Sequence, residues 1–169
     1  MIDTKGMRMA DETPSKVEAV SRYLNEKRIE HEVVEHDERF TAVGEARASG
    51  IGPEGAAKDV VLRRGNAYVL AVIPASERLD LRKAADLLGD EGELRLATEE
   101  EIAADFSQFE VGALPPFGPL LDIAQIVDRR LLDIEQVLCS GGDHCHSLKV
   151  DPNEMVRLAD ARVADLCQD

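Results

Sequence analysis

Two apolar runs constrain the fold most: Asp59-Val60-Val61-Leu62-Arg63 and Ala67-Tyr68-Val69-Leu70-Ala71-Val72-Ile73, on either side of Arg64-Gly65-Asn66. β-Branched and aliphatic residues at this density favour extended backbone, and the Gly65-Asn66 pair suits the tight turn of an antiparallel hairpin. Helix signals surround it. Thr13 and Pro14 fit an N-cap and first helical position, with Val17, Val20, Leu24 and the stem of Arg28 on one stripe. Thr41 can cap a second helix that stops at Gly50, with Gly52-Pro53 enforcing the break. Asp80 precedes a helix through Leu87 and Leu88 that Gly89 ends. Thr98-Glu99-Glu100-Glu101 is a capping box for a short acidic helix, and Asp151-Pro152-Asn153-Glu154 a second box for the last one. Further extended segments are expected at Glu32–Glu35, around Leu94 and Leu96, at Asp122–Val127, at Val137–Cys139 and at His144–Val150. Helices mixed with strands, one pair of them antiparallel, favour an α+β domain with a mixed sheet over a doubly wound one.

At 169 residues and 44% hydrophobic content the chain fits one domain with its own core. No apolar run approaches the roughly 20 residues that span a bilayer. Met1 to Thr13 lacks the apolar centre of a secretory signal and reads as a flexible leader, leaving 14–169 as a single domain. Three cysteines (Cys139, Cys145, Cys167) make no even disulfide framework, which suits a cytoplasmic location.

The formal net charge of −14 argues against a protein that grips a long nucleic-acid duplex. The charge is uneven. From Arg47 to Lys83 the basic residues Arg47, Lys58, Arg63, Arg64, Arg78, Arg82 and Lys83 outnumber Glu54, Asp59, Glu77 and Asp80. From Ala84 to Val137, thirteen acidic residues face only Arg95, Arg129 and Arg130. An anionic ligand is therefore expected to dock near the first region over a small area.

Three segments carry possible chemistry. Gly112-Ala113-Leu114-Pro115-Pro116-Phe117-Gly118 is a poor helix and a poor strand, and such a rigid loop can offer main-chain groups to a ligand; it can equally be a turn between elements. Lys58, where a loop of small residues enters the first hairpin strand, can present a point charge to a phosphate or carbonyl. Ser140-Gly141-Gly142 ends an apolar strand and allows close main-chain approach beside a hydroxyl. Cys139, His144, Cys145 and His146 invite a metal reading, with both histidines on one strand face, but lack the spacing of a zinc site. A Cys–His nucleophilic pair would have no orienting third group. His31 and His36 flank a strand without an evident partner, and no Walker or Rossmann glycine pattern is present.

Taken together and in order, these pieces resemble the YbaK and prolyl-tRNA-synthetase-associated domain family of aminoacyl-tRNA deacylases, from about Val17 to Leu166. An early helix and strand lead to Asp37 and Phe40-Thr41-Ala42, and the family lysine corresponds to Lys58. The Gly-x-x-x-Pro-Phe-Gly loop corresponds to Gly112, Pro116, Phe117 and Gly118. The Ser-Gly-Gly turn, strand and helix start correspond to Ser140, Gly141, Gly142, Leu148, Val150, Pro152 and Glu154. The resemblance implies an α+β fold with a mixed, partly barrel-like β-sheet flanked by helices. It implies hydrolysis of the ester joining a wrong amino acid to the 3′ end of tRNA, assisted by the substrate's own ribose hydroxyl, with no cofactor and no metal. Catalysis would fall to Lys58, Gly112, Gly118 and Ser140, and substrate binding to Thr41, Asp59, Pro116, Phe117, Gly141, Gly142, His146 and Ser147. The implied partners are the tRNA acceptor end and an aminoacyl-tRNA synthetase, with no membrane. The chain departs from the family at Asp59, where Thr, Ser or Asn is common, and at Asp143, His144 and Ser147 after the second turn. A silent binding module of the same fold and a metal-dependent hydrolase using His144 and His146 are the competing expectations.

Overall fold

The computed structural model describes residues 15–89 and 92–169. The leader reading, and the cap placed at Thr13 and Pro14, lie outside these residues. The first described helix, α1 (Lys16–Glu26), is capped by Ser15, whose side chain accepts from the Glu18 N–H while Glu18 answers in a full capping box. Val17, Val20 and Leu24 are buried as the stripe requires. Arg28 does not continue it: the residue has left the helix with φ 60°, and Ile29 fills the core position instead.

The remaining elements follow as β1 (His31–Glu35), α2 (Ala42–Ala48), β2 (Ala57–Arg64), β3 (Ala67–Pro74), α3 (Leu81–Leu88), β4 (Arg95–Leu96), α4 (Glu99–Asp105), α5 (Gly118–Leu121), β5 (Ala124–Asp128), β6 (Val137–Ser140), β7 (His146–Val150), α6 (Pro152–Ala159) and β8 (Arg162–Ala164). Short 3-10 turns occupy Pro53–Gly55 and Arg129–Asp133. Among the described residues there are two sheets. A five-stranded sheet runs β4-β2-β3-β5-β8, antiparallel on the β2 side and parallel from β3 through β5 to β8. A three-stranded antiparallel sheet runs β1-β7-β6. An isolated bridge, Ala56 to Leu138, joins them. The fold is the expected α+β mixture, and the sheets do not close into a barrel.

Alternation along the central hairpin explains the layering. Ala57 and Val61 on β2, with Leu70 and Val72 on β3, face the main core, together with α1, the proline loop, β6 and β7. Leu62, Val69, Ala71 and Ile73 face a second core under α3 and the C-terminal Leu166 and Cys167. That C-terminal segment is pinned by the fully buried Asp128, whose Oδ2 accepts from the Leu166 N–H at 2.8 Å and from the Cys167 thiol at 3.2 Å.

Several expectations shift. The run after the proline loop opens as a helical turn: Asp122 is its left-handed cap, so strand β5 begins at Ala124. His144 lies in a turn, so it does not share a strand face with His146. Asp151 caps α6 through the Asn153 N–H, while Glu154 pairs with Arg157, so the second capping box does not form. Strand β8 has no clear sequence signal. The box at Thr98 and the Asp80 cap form as expected.

Candidate ligand cleft

Thr41 ends its approach to α2 as N-cap, its Oγ1 accepting from the Gly44 N–H at 2.9 Å. This cap sets the helix so that Phe40, Thr41 and Ala42 form one wall of a cleft of about 250 Å³. The other walls come from Lys58, Asp59 and Val61 of β2, Ile102 of α4, Gly112 and Leu114 of the proline loop, and Ser140 at the end of β6. Thus the three segments singled out from the sequence share a single cleft.

The proline loop contributes through its front half. Gly112 lines the cleft at φ 86°, a conformation that L side chains rarely adopt. Its back half faces the core. Phe117 is fully buried, the Pro116 carbonyl accepts from Gln125 Nε2 at 2.9 Å, and the Gly118 N–H donates to Gln125 Oε1 at 2.6 Å. A Cβ on Gly118 would stand 2.5 Å from the Ile123 carbonyl oxygen. Pro116, Phe117 and Gly118 therefore brace the loop from behind rather than line the cleft. Gln125, which does the bracing, was invisible in sequence because it reads as one polar residue at the start of a strand.

Beyond Ser140 the second turn also faces inward on itself. The Gly141 N–H donates to the His146 carbonyl at 3.1 Å, and the Gly142 carbonyl accepts from the Glu110 N–H at 3.0 Å. His146 Nδ1 lies 2.9 Å from Asp143 Oδ1. His144 is buried with its two ring nitrogens against the carbonyls of Arg39 (3.0 Å) and Val111 (2.9 Å), and its ring packs on Phe40 at 4.6 Å. It ties the α2 approach to the proline loop. Since His144 and His146 are held apart by different partners, they do not converge on one metal position. Among the described residues no group of three or more His, Cys, Asp or Glu side chains could hold a metal ion.

Beneath the cleft lies a buried polar network. Glu45 accepts from Ser147 Oγ at 2.9 Å and from Ser140 Oγ at 3.1 Å, and Ser147 Oγ is also 2.9 Å from His36 Nε2. Ser147 is therefore set behind the cleft, not in it. Burial raises the Glu45 carboxyl above its ordinary value, opposed by the two serine hydroxyls and by His36 and His144. Neither histidine of the early strand lacks a partner: His31 Nε2 meets Ser21 Oγ at 2.6 Å, and His36 is bound as described. Glu45 does not stand out in the sequence, because an acid in the first turn of a helix ordinarily reads as favourable to the helix dipole.

On β2, neighbouring residues point opposite ways. Asp59 shares the face of Ala57 and Val61 toward the main core and cleft. Lys58 shares the face of Val60 and Leu62, and its Nζ donates to the Glu77 carbonyl at 2.7 Å. Lys58 borders the cleft and also an outer groove with Arg78, Leu79 and Gln168. Burial, then the nearby Arg78 charge, pull its ammonium below the ordinary value. Two other basic residues of this region have close acidic partners: Arg63 meets Glu101 at 2.6 Å, and Lys83 meets Asp165 at 2.9 Å.

Two unequal sheets of an α+β domain thus share a core, and a cleft lies where Lys58, Asp59 and Val61 of one sheet approach Ser140 of the other. The sequence pattern of the aminoacyl-tRNA editing domain matches residues 36–158, and the chain belongs to that family. A crystal structure of a proposed trans-editing enzyme for prolyl-tRNA synthetase is similar, with TM-score 0.79 and 29% identity, over 94% of this chain and all of that one. A scaffold protein used for epitope grafting superposes at TM-score 0.79 with 28% identity, over 93% of this chain and 99% of that one. A hypothetical protein does so at TM-score 0.79 with 25% identity, over 88% and 99%. Among the described residues no helix is long and apolar enough to cross a membrane.

Proposed function

We propose that this protein is an aminoacyl-tRNA deacylase acting in trans, which hydrolyses the ester of a small, wrongly attached amino acid. The observation that carries the reading is the convergence of Thr41, Lys58, Gly112 and Ser140 from four separate elements on a cleft of about 250 Å³, within a chain of the editing family. A cavity of this size with Ala42, Val61, Ile102 and Leu114 on its walls suits a short side chain and sets an upper limit by exclusion.

In this reading water adds to the ester carbonyl, the carbon–oxygen bond to the ribose breaks, and the proton ends on the ribose oxygen. The neighbouring ribose hydroxyl assists the water. The main chain at Gly112, which lines the cleft, is the group assigned to face the developing oxyanion. An ammonium has three donors, so Lys58 can keep its bond to Glu77 and still grip a terminal phosphate or the carbonyl. The attraction of such an anion would offset both the desolvation and the Arg78 repulsion that depress the lysine. Phe40, 66% exposed at the cleft mouth, offers a face on which the terminal adenine stacks. Pro116, Phe117, Gly118, Gly141, Gly142, His146 and Ser147 act by holding these groups. The acidic bulk restricts contact to the acceptor end, and a synthetase supplies the remaining grip on tRNA. Placement in the cytoplasm, where charged tRNA is found, belongs to the same reading.

The test is a panel of mischarged tRNAs with the purified protein. Release of small amino acids such as alanine or serine, with bulky ones retained, supports the reading. No release from any member, with ligand binding retained, would instead make the domain a silent binding module.

A further inference from the structure

Among the described residues, Asp59 is the one ionisable side chain whose buried oxygens lack any hydrogen-bond partner. Both carboxylate oxygens expose less than 1 Å², and neither is bonded. What remains exposed of the residue opens on the cleft, beside Val61, Ile102 and Leu114. Glu45, close by, has its oxygens bonded by Ser140 and Ser147. Lys58, next in sequence, is not the missing partner, because it leaves the opposite face of β2 and bonds the Glu77 carbonyl. A carboxyl group among aliphatic walls without a donor is costly, and the cost stands until something supplies one.

We propose that Asp59 is the receptor for the α-ammonium of the aminoacyl group, so that a free amino group is a condition for productive binding. The inference rests on the deacylase reading and deepens it. An ammonium carries donors only and a carboxylate acceptors only, so the pairing is complementary in hydrogen bonds as well as in charge. The negative charge of Glu45 behind Asp59 adds to the attraction for a cation, and the aliphatic walls weaken screening by water. Being unbonded, the Asp59 side chain breaks no hydrogen bond when it turns about its two χ bonds to meet the ligand. Both residues border the cleft, so the charges along β2 match those of the substrate: the Lys58 cation suits the phosphate, and the Asp59 carboxyl suits the ammonium. An N-acylated ester, such as a peptidyl-tRNA, presents an uncharged amide at this point and is rejected.

Two adenosine analogues test the proposal: 3′-deoxy-3′-(alanylamino)adenosine, which has a free ammonium on a linkage resistant to hydrolysis, and its N-acetyl form. Binding is measured by calorimetry to the wild type, to Asp59→Asn and to Asp59→Ser, after each variant is shown to unfold cooperatively. The wild type should bind the ammonium form about tenfold or more tightly than the acetyl form, since bonds to charged groups contribute that much. Both variants should bind the two forms within about twofold of each other. Equal binding of the two forms by wild type, binding of neither, or undiminished discrimination in a folded Asp59 variant overturns the proposal. The two readings fail separately. If wild type hydrolyses mischarged tRNA but Asp59→Asn still discriminates, the ammonium site is wrong and the activity stands. If no mischarged tRNA is hydrolysed but discrimination depends on Asp59, the site stands and the activity is wrong.

Discussion

Replacing Asp59 with valine should make the protein more stable, an outcome opposite to that of most core substitutions. The residue sits on β2 opposite Val72 of β3, so a valine there forms a cross-strand β-branched pair on a strand that already favours such residues. Removing an unbonded buried acid relieves about 1–3 kcal/mol. In a chain of this length each kcal/mol corresponds to roughly 2–4 °C in Tm. The pH dependence gives a sharper signature. Burial, with Glu45 adding, pushes the Asp59 carboxyl well above its ordinary value, so between the two values the folded protein binds more protons than the unfolded chain. Stability contributed by this group is therefore fully present below the ordinary carboxylate pKa, near 3.9, and declines as pH rises through the raised value. Urea unfolding of wild type and Asp59→Val from pH 4 to pH 8 should show the variant's advantage widening with pH. A folded variant less stable than wild type at pH 7, or an advantage independent of pH, would refute the picture of a carboxyl kept without a partner.

Truncating Phe40 should weaken capture of the tRNA terminus by roughly 1–3 kcal/mol, read as a raised KM with little change in kcat, because its ring is offered for stacking. Gln125→Ala strands the Gly118 N–H and the Pro116 carbonyl in the core, and denaturant unfolding should show a loss of about 1–3 kcal/mol for each group left unbonded. Leu114→Ala enlarges the cleft at one wall and should shift kcat/KM toward longer amino-acid side chains by about 10-fold or more on the mischarged panel. Glu101, bonded by Arg95, by the Thr98 N–H and by Arg63, has its carboxyl depressed to about 2. Its contribution is fully present above the ordinary glutamate pKa and is lost as pH falls from there through the depressed value of about 2, so Glu101→Gln should flatten the acid limb of a pH–stability curve.

The parts of this fold that the sequence displays plainly are those fixed by local chemistry. The β2–β3 hairpin needs only a two-residue loop between β-branched runs, and the caps at Thr41, Asp80 and Thr98 need only one side chain near the N–H groups of its own helix. Elements fixed from a distance are less legible. Strand β8 is held by parallel pairing to β5, and the turn of α5 interrupts an apolar run that by composition alone continues as strand. The same division runs through the cleft. Lys58, Gly112 and Ser140 stand out by residue type beside loops, and they do meet. Glu45 and Gln125 stand out only by what they touch, 95 residues away at Ser140 and 7 to 9 residues away across the proline loop. His144 is the instructive case: a His-x-His pair suggests a shared face, yet the turn sends one ring to two carbonyls and the other to Asp143.

The rate of amino-acid release from a mischarged tRNA that the wild type hydrolyses, compared with that of a folded Lys58→Ala variant, tests the account most directly. If the cleft is where the ester is held and broken, the variant should lose about 10²-fold or more in single-turnover rate while keeping its cooperative unfolding. Release at the wild-type rate by the folded Lys58→Ala protein would contradict it.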